Sequence, residues 1–167
     1  MKTMILLAAL FSMVGFTSGA YACNGPIKCA IKTYTGNYVT AVGGGGRITD
    51  VIHTDATRLR NWEKFILEDS CEGTPIHYGI KTYNGHYLTA VGGGGRITDV
   101  IHSDATQLQA WEKFTFIPLG GDVYAIQTAT GNYVTAVGGG GRITDVIHTD
   151  ATKIGNWEKF TLVCGIR

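Results

Sequence analysis

A unit of 35 residues occurs three times in this chain, at 31–65, 80–114 and 126–160, with starts separated by 49 and 46 residues. Self-similarity at such a period confines the fold to architectures in which one small unit is stacked on, or closed against, copies of itself. Within each unit the stretch that begins at Thr40, TAVGGGGRITDVIHTDAT, agrees at 17 of 18 positions; the varying position holds Thr54, Ser103 and Thr149. Every unit closes on Trp-Glu-Lys-Phe.

Inside a unit the periodicity is that of strands. Ile31-Lys32-Thr33-Tyr34 alternates, Thr35-Gly36-Asn37 breaks the pattern, and Tyr38 to Val42 resumes it, which is a hairpin signature. Gly43 to Gly46 end the second strand, Asp50 to His53 reads as a third and Trp62 to Leu67 as a fourth. No stretch carries the 3.6-residue period of a helix. Four strands in each of three units predict an all-β fold, a β-trefoil of twelve strands; a propeller would need a complete sheet in every blade. Closing three units into one barrel also removes exposed strand edges. Tyr38, Val42, Ile48, Trp62, Phe65 and their equivalents are expected to fill a threefold core.

The chain begins Met1-Lys2-Thr3, continues without charge to Phe16, and reaches Ala20-Tyr21-Ala22, the form of a secretory signal peptide with its cleavage site. The expected organisation is therefore a leader at 1–22 and one β-trefoil domain at 23–167, exported to the extracellular space, or to the periplasm in a bacterium. A cysteine directly after the cleavage point also suits a lipoprotein, but Ala20 stands where such proteins usually carry Leu. Cys23, Cys29, Cys71 and Cys164 lie outside the repeats and form an even set, so two disulfides are expected. Cys29–Cys164 with Cys23–Cys71 is the favoured pairing, because first and last strands are neighbours in a closed trefoil; Cys29–Cys71 competes with it. Their spacing does not suit a metal site.

Lys plus Arg number 14 and Asp plus Glu 13. Removing Lys2 with the leader leaves 13 against 13, a balance that argues against nucleic acid or an anionic membrane as partner. No stretch after the leader has the length of a membrane span. Catalysis finds little support: the repeated His and Asp have no nucleophile beside them, and the glycine run lacks the Lys-Ser/Thr ending of a phosphate loop. No cofactor is implied.

Agreement among the units extends beyond core positions to Arg47, Thr49, Asp50, His53, Asp55 and Thr57, whereas the linkers after Phe65 and Phe114 share nothing. Something specific holds the loop chemistry constant. The glycines suit either a turn or close approach to a ligand, Arg47 and Asp50 a paired loop couple, and His53-x-Asp55 a ligand site. Sugar hydroxyls both donate and accept, so a carboxylate, an imidazole and backbone N–H groups can satisfy several together. Three such sites give avidity toward clustered glycans. A secreted protein-interaction module, an inhibitor or toxin subunit, is the alternative; an asymmetric epitope would need only one intact loop.

The pattern Gly36-x-Tyr38-Val39-x-Ala41, the glycine run and Trp62-Glu63-Lys64-Phe65 resemble the fascin-like β-trefoil repeat across all three units. That family includes actin-bundling proteins and modules of secreted bacterial enzymes, so the resemblance implies the fold rather than a partner. Gly43-Gly44 followed by His53-Thr54-Asp55 is also similar to the mytilectin β-trefoil lectins, whose H-P-x-G-G and H-x-D-x-H motifs bind galactose-type sugars. Thr40 and Thr57 stand where that family carries histidines. The resemblance implies ligand sites at Thr40, Gly43, His53, Asp55 and Thr57; at Thr89, Gly92, His102, Asp104 and Thr106; and at Thr135, Gly138, His148, Asp150 and Thr152.

Overall fold

The computed structural model describes residues 23–167; the expected leader lies outside them. Four strands arise from each unit: β1 (Ile27–Lys32), β2 (Tyr38–Ala41), β3 (Ile52–Ala56) and β4 (Lys64–Asp69); β5 (Tyr78–Lys81), β6 (Tyr87–Ala90), β7 (Ile101–Ala105) and β8 (Lys113–Gly120); β9 (Val123–Gln127), β10 (Tyr133–Ala136), β11 (Ile147–Ala151) and β12 (Lys159–Cys164). Antiparallel pairing runs from β1 to β4, β5, β8, β9, β12 and back to β1, a closed barrel of six strands. The hairpins β2–β3, β6–β7 and β10–β11 cover one end of it. This is the β-trefoil. Among the described residues no helix is long and apolar enough to cross a membrane.

Phe65, Phe114 and Phe160 are at most 1% exposed and form the centre of the core with Ile31, Ile80 and Ile126. A small apolar cavity of about 40 Å³ lies among these side chains, too apolar to hold water. Of the five expected core positions only the phenylalanine is central; Tyr38 and Val42 are half-buried outside the core cluster, and two further expectations are overturned. Trp62, Trp111 and Trp157 are 48%, 50% and 49% exposed, and Ile48, Ile97 and Ile143 are 56%, 56% and 55% exposed. Trp62 sits in a 3-10 turn, Asn61–Glu63, so that Glu63, Phe65 and Leu67 point inward and Trp62 points outward. The fourth strand accordingly starts at Lys64. The third starts at Ile52, because Asp50 adopts φ +50° and ends the extended backbone before it; Ile48 is left in the loop around the threefold axis.

The glycine loops join the units. Gly46 N–H donates to Ser103 C=O at 2.6 Å and Ser103 N–H to Arg47 C=O at 2.8 Å; Gly95 and Arg96 do the same with Thr149, and Gly141 and Arg142 with Thr54, which closes the ring. The hydroxyl at this position also accepts from the arginine N–H, at 3.1 to 3.2 Å, and donates to its C=O, so Thr and Ser both serve. At Gly45, Gly94 and Gly140, φ is +102°, +114° and +112°, and a Cβ would overlap Thr82, Thr128 and Thr33 of the next unit's first hairpin. Asn84 Nδ2, Thr130 Oγ1 and Thr35 Oγ1 cap the carbonyls of Gly43, Gly93 and Gly139 at 2.9 to 3.0 Å. Most of the invariant loop is therefore an interlock between units.

Cys29 faces Cys164 in the β1–β12 register and is bonded to it; Cys23 is bonded to Cys71. No cysteine is free.

Candidate functional site in the tryptophan clefts

Each fourth strand is preceded by a buried carboxylate. Glu63, Glu112 and Glu158 are 5%, 6% and 8% exposed. Thr40, Thr89 and Thr135 donate their hydroxyls to Oε1 at 2.7 to 2.8 Å. The backbone N–H groups of Arg60, Gln109 and Gly155 reach Oε2 at 2.7, 3.0 and 2.7 Å. A carboxylate can be buried here only because both oxygens are bonded. Since residue 60 and its equivalents contribute only backbone, their side chains are free to differ. These three threonines, among the six expected to meet a ligand, anchor the turn that presents the tryptophan, and Thr40 also lines the cleft beside it.

Beside this turn in the first unit lies an open cleft of about 760 Å³ lined by Thr40, Asp55, Ala56, Thr57, Arg58, Arg60, Asn61, Trp62 and Glu63. Asp55 and Thr57 are exposed at its wall, and neither side chain has a hydrogen-bond partner among the described residues. Asp104 and Thr106, and Asp150 and Thr152, hold the same exposed positions at the ends of β7 and β11. A half-exposed indole, a carboxylate and a hydroxyl thus recur three times, the carboxylate and hydroxyl without side-chain partners among the described residues, while the covered edges of Trp111 and Trp157 lie against the glycine turns at Gly93 and Gly139. The sequence reading placed the tryptophans in the core rather than in a site, yet their spacing contained the signal. Read as one extended segment, 62–67 already puts Trp62 and Phe65, three apart, on opposite faces, although the actual cause is the 3-10 turn at Asn61–Glu63.

The histidines and first glycines have other occupations. His53 Nε2 lies 2.7 Å from Asp50 Oδ1, as His102 does from Asp99 and His148 from Asp145. Arg47 Nη2 approaches the same aspartate, at 3.4 Å from Oδ2, and donates through Nε to Thr49 C=O. Both partners brace an aspartate held in left-handed backbone, a conformation Asp tolerates through local hydrogen bonds. Gly43, Gly92 and Gly138 carry φ of +67° to +68° beside their arginines, in the loop rather than in the cleft. His53 and Asp55, two apart in one strand, are consequently divided between loop and cleft. Among the described residues no group of three or more His, Cys, Asp or Glu is placed to hold a metal ion.

No protein-family model matches the chain, and no curated protein sequence matches it. Solved structures do. The chain is similar to ThreeFoil, a designed threefold-symmetric protein, with a TM-score of 0.66 and 12% identity over 84% of this chain and 99% of that one. It is similar to a Polyporus squamosus lectin bound to the epitope Neu5Acα2-6Galβ1-4GlcNAc, with a TM-score of 0.61 and 17% identity over 85% of this chain and 49% of that one. It is also similar to the exo-β-1,3-galactanase 1,3Gal43A of Clostridium thermocellum, with a TM-score of 0.67 and 14% identity; there the match covers 84% of this chain but 30% of the enzyme. At these identities the likeness establishes the β-trefoil fold.

Proposed function

We propose that the protein is a secreted, non-enzymatic carbohydrate-binding protein, a lectin, with one site in each tryptophan cleft. The carrying observation is the threefold recurrence of a half-exposed tryptophan with an exposed aspartate that no other side chain engages among the described residues. The flat apolar face of a pyranose stacks on an indole, while its hydroxyls donate to a carboxylate and accept from a threonine hydroxyl. Trp62, Asp55 and Thr57 take these roles, with Trp111, Asp104 and Thr106 and Trp157, Asp150 and Thr152 in the other units. Thr40, Thr89 and Thr135 position the tryptophan turn through the buried glutamates, and the His and Gly residues hold the loops. The glycan-bound Polyporus lectin supports a sugar as ligand class, and the aspartate of the mytilectin-like His-x-Asp segment, which lines the first cleft, supports galactose-type sugars. Export is supported by the leader-like segment and by two disulfides.

Isothermal titration of residues 23–167 with β-galactosides tests the proposal. Three sites per chain are expected, falling to two in Trp62→Ala, Trp111→Ala or Trp157→Ala with the thermal transition retained. An unchanged stoichiometry in all three variants would overturn it.

A further inference from the structure

The units agree at Asp-Ala-Thr and at Trp-Glu-Lys-Phe but differ between them, where Arg58-Leu59-Arg60-Asn61 in the first unit corresponds to Gln107-Leu108-Gln109-Ala110 and Lys153-Ile154-Gly155-Asn156 in the others. The glutamate bond uses only the backbone of residue 60, so the exposed side chains at 58 and 60 are free to differ, and the units differ in charge there. Arg58 and Arg60 set two positive charges against Asp55 in the first. The corresponding segment carries no cation in the second unit, Gln107 to Ala110, and a single one, Lys153, in the third.

The positive strip continues past Asn61, which also lines a second groove with Lys28, Lys64, Ile66, Thr82 and Tyr83. The β1–β4 register sets Lys28 opposite Ile66 and Ala30 opposite Lys64, which places both lysines on one side of the strand pair. Among the described residues Arg58, Arg60, Lys28 and Lys64 make no ion pair, whereas Lys113 is tied to Glu72 and Lys159 donates to Asn156. Lys28 is replaced by His77 in the second unit and Val123 in the third. Trp62 and Tyr83, 48% and 57% exposed, mark the two grooves with aromatic faces.

We propose that the face of the first unit is, in addition, an extended site for acidic oligosaccharides, carrying carboxylate or sulfate groups, while the other two clefts take neutral sugars only. The inference rests on the carbohydrate-binding reading of the tryptophan clefts. Four unpaired cations beside two aromatic faces suit an anionic sugar chain, since guanidinium groups grip carboxylate and sulfate oxygens through paired N–H donors. The chain's overall charge balance makes this a local segregation rather than a general basicity.

The test is titration of residues 23–167 with a tetragalacturonide, a heparin tetrasaccharide, a neutral galactotetraose and a single-stranded oligonucleotide of equal charge. One acidic-sugar site is expected, weakening as salt rises; binding of the tetragalacturonide shows that carboxylate suffices, whereas binding of heparin, which carries both groups, without binding of the tetragalacturonide assigns the preference to sulfate. Arg58→Gln with Arg60→Gln, which installs the second unit's residues, should weaken acidic binding about tenfold per guanidinium and leave galactotetraose binding intact. Gln107→Arg with Gln109→Arg should create a second acidic site. Lys28→Gln with Lys64→Gln should weaken the tetrasaccharides but not their disaccharides. Acidic binding indifferent to the arginine pair, no gain in the reciprocal variant, neutral binding without acidic binding, or tighter binding of the oligonucleotide would each overturn the proposal. Loss of galactotetraose binding with acidic binding retained and arginine-dependent would instead remove the three-site reading and leave this one standing.

Discussion

Thr89 illustrates how an invariant polar residue can be structural. Its hydroxyl donates to the buried Glu112 at 2.7 Å, and Thr89→Val keeps the shape while leaving one carboxylate oxygen without a partner. A loss of about 1–3 kcal/mol is expected from the urea midpoint, with weaker sugar binding at that cleft because the Trp111 turn loosens. Asp104 is the opposite case: exposed and unpartnered, its replacement by Ala should leave the midpoint within about 0.5 kcal/mol and remove one binding site from the titration. A stability loss in Asp104→Ala with full stoichiometry would reverse these two assignments. At this scale the sequence presented the same evidence for both residues, identity in all three units, and could not separate them. The distinction lies in which side chain meets Glu112 across 23 residues of chain.

Among the elements, the junction of β4, β5 and β6 carries the clearest pH dependence. Glu68 accepts from Lys81 Nζ and from Tyr87 Oη, both at 2.9 Å, and these bonds hold its carboxyl below the ordinary 4.5 while raising Lys81. A depressed folded-state pKa gives stability that is present above the unfolded value, about 4.3, and is lost as pH falls through the folded one. Glu68→Gln should therefore lower the urea midpoint at pH 7, and the difference from the parent should vanish toward pH 3. With both side chains partly exposed, the effect belongs at or below about 1 kcal/mol. The glycine loops are the other decisive elements. Gly94→Ala puts a methyl group onto Thr128 at φ +114° and should cost more than about 1 kcal/mol by thermal unfolding, whereas alanine at the exposed Gly25 meets nothing and should be silent.

The whole molecule is held as a ring. Each unit's loop bonds to the next unit's third strand, the last unit returns to the first at Arg142 and Thr54, and Cys29–Cys164 fastens β1 to β12 across 135 residues. Replacing that pair with Ala removes the chain's longest covalent loop, for which a loss of about 4–5 kcal/mol follows from loop-closure entropy. The thermal midpoint should fall by more than in Cys23→Ala with Cys71→Ala, whose loop spans 48 residues. Equal shifts would mean that native contacts, rather than chain entropy, set the contribution.

Local periodicity and internal identity were enough for the threefold all-β plan, the hairpins, the inward phenylalanines and the favoured disulfide pairing, because each depends on alternation along one segment or on which strands a closed ring makes neighbours. The fate of the invariant polar residues was decided by tertiary contact. Gly45 packs on Thr82, His53 turns to Asp50, Thr40 goes to Glu63, and Trp62 comes out to solvent. A residue repeated three times is constrained by whatever it touches, and a one-dimensional pattern records the constraint without recording the partner. Only closing the barrel showed that most of the shared loop serves the ring and that Asp55, Thr57 and Trp62 are left facing outward.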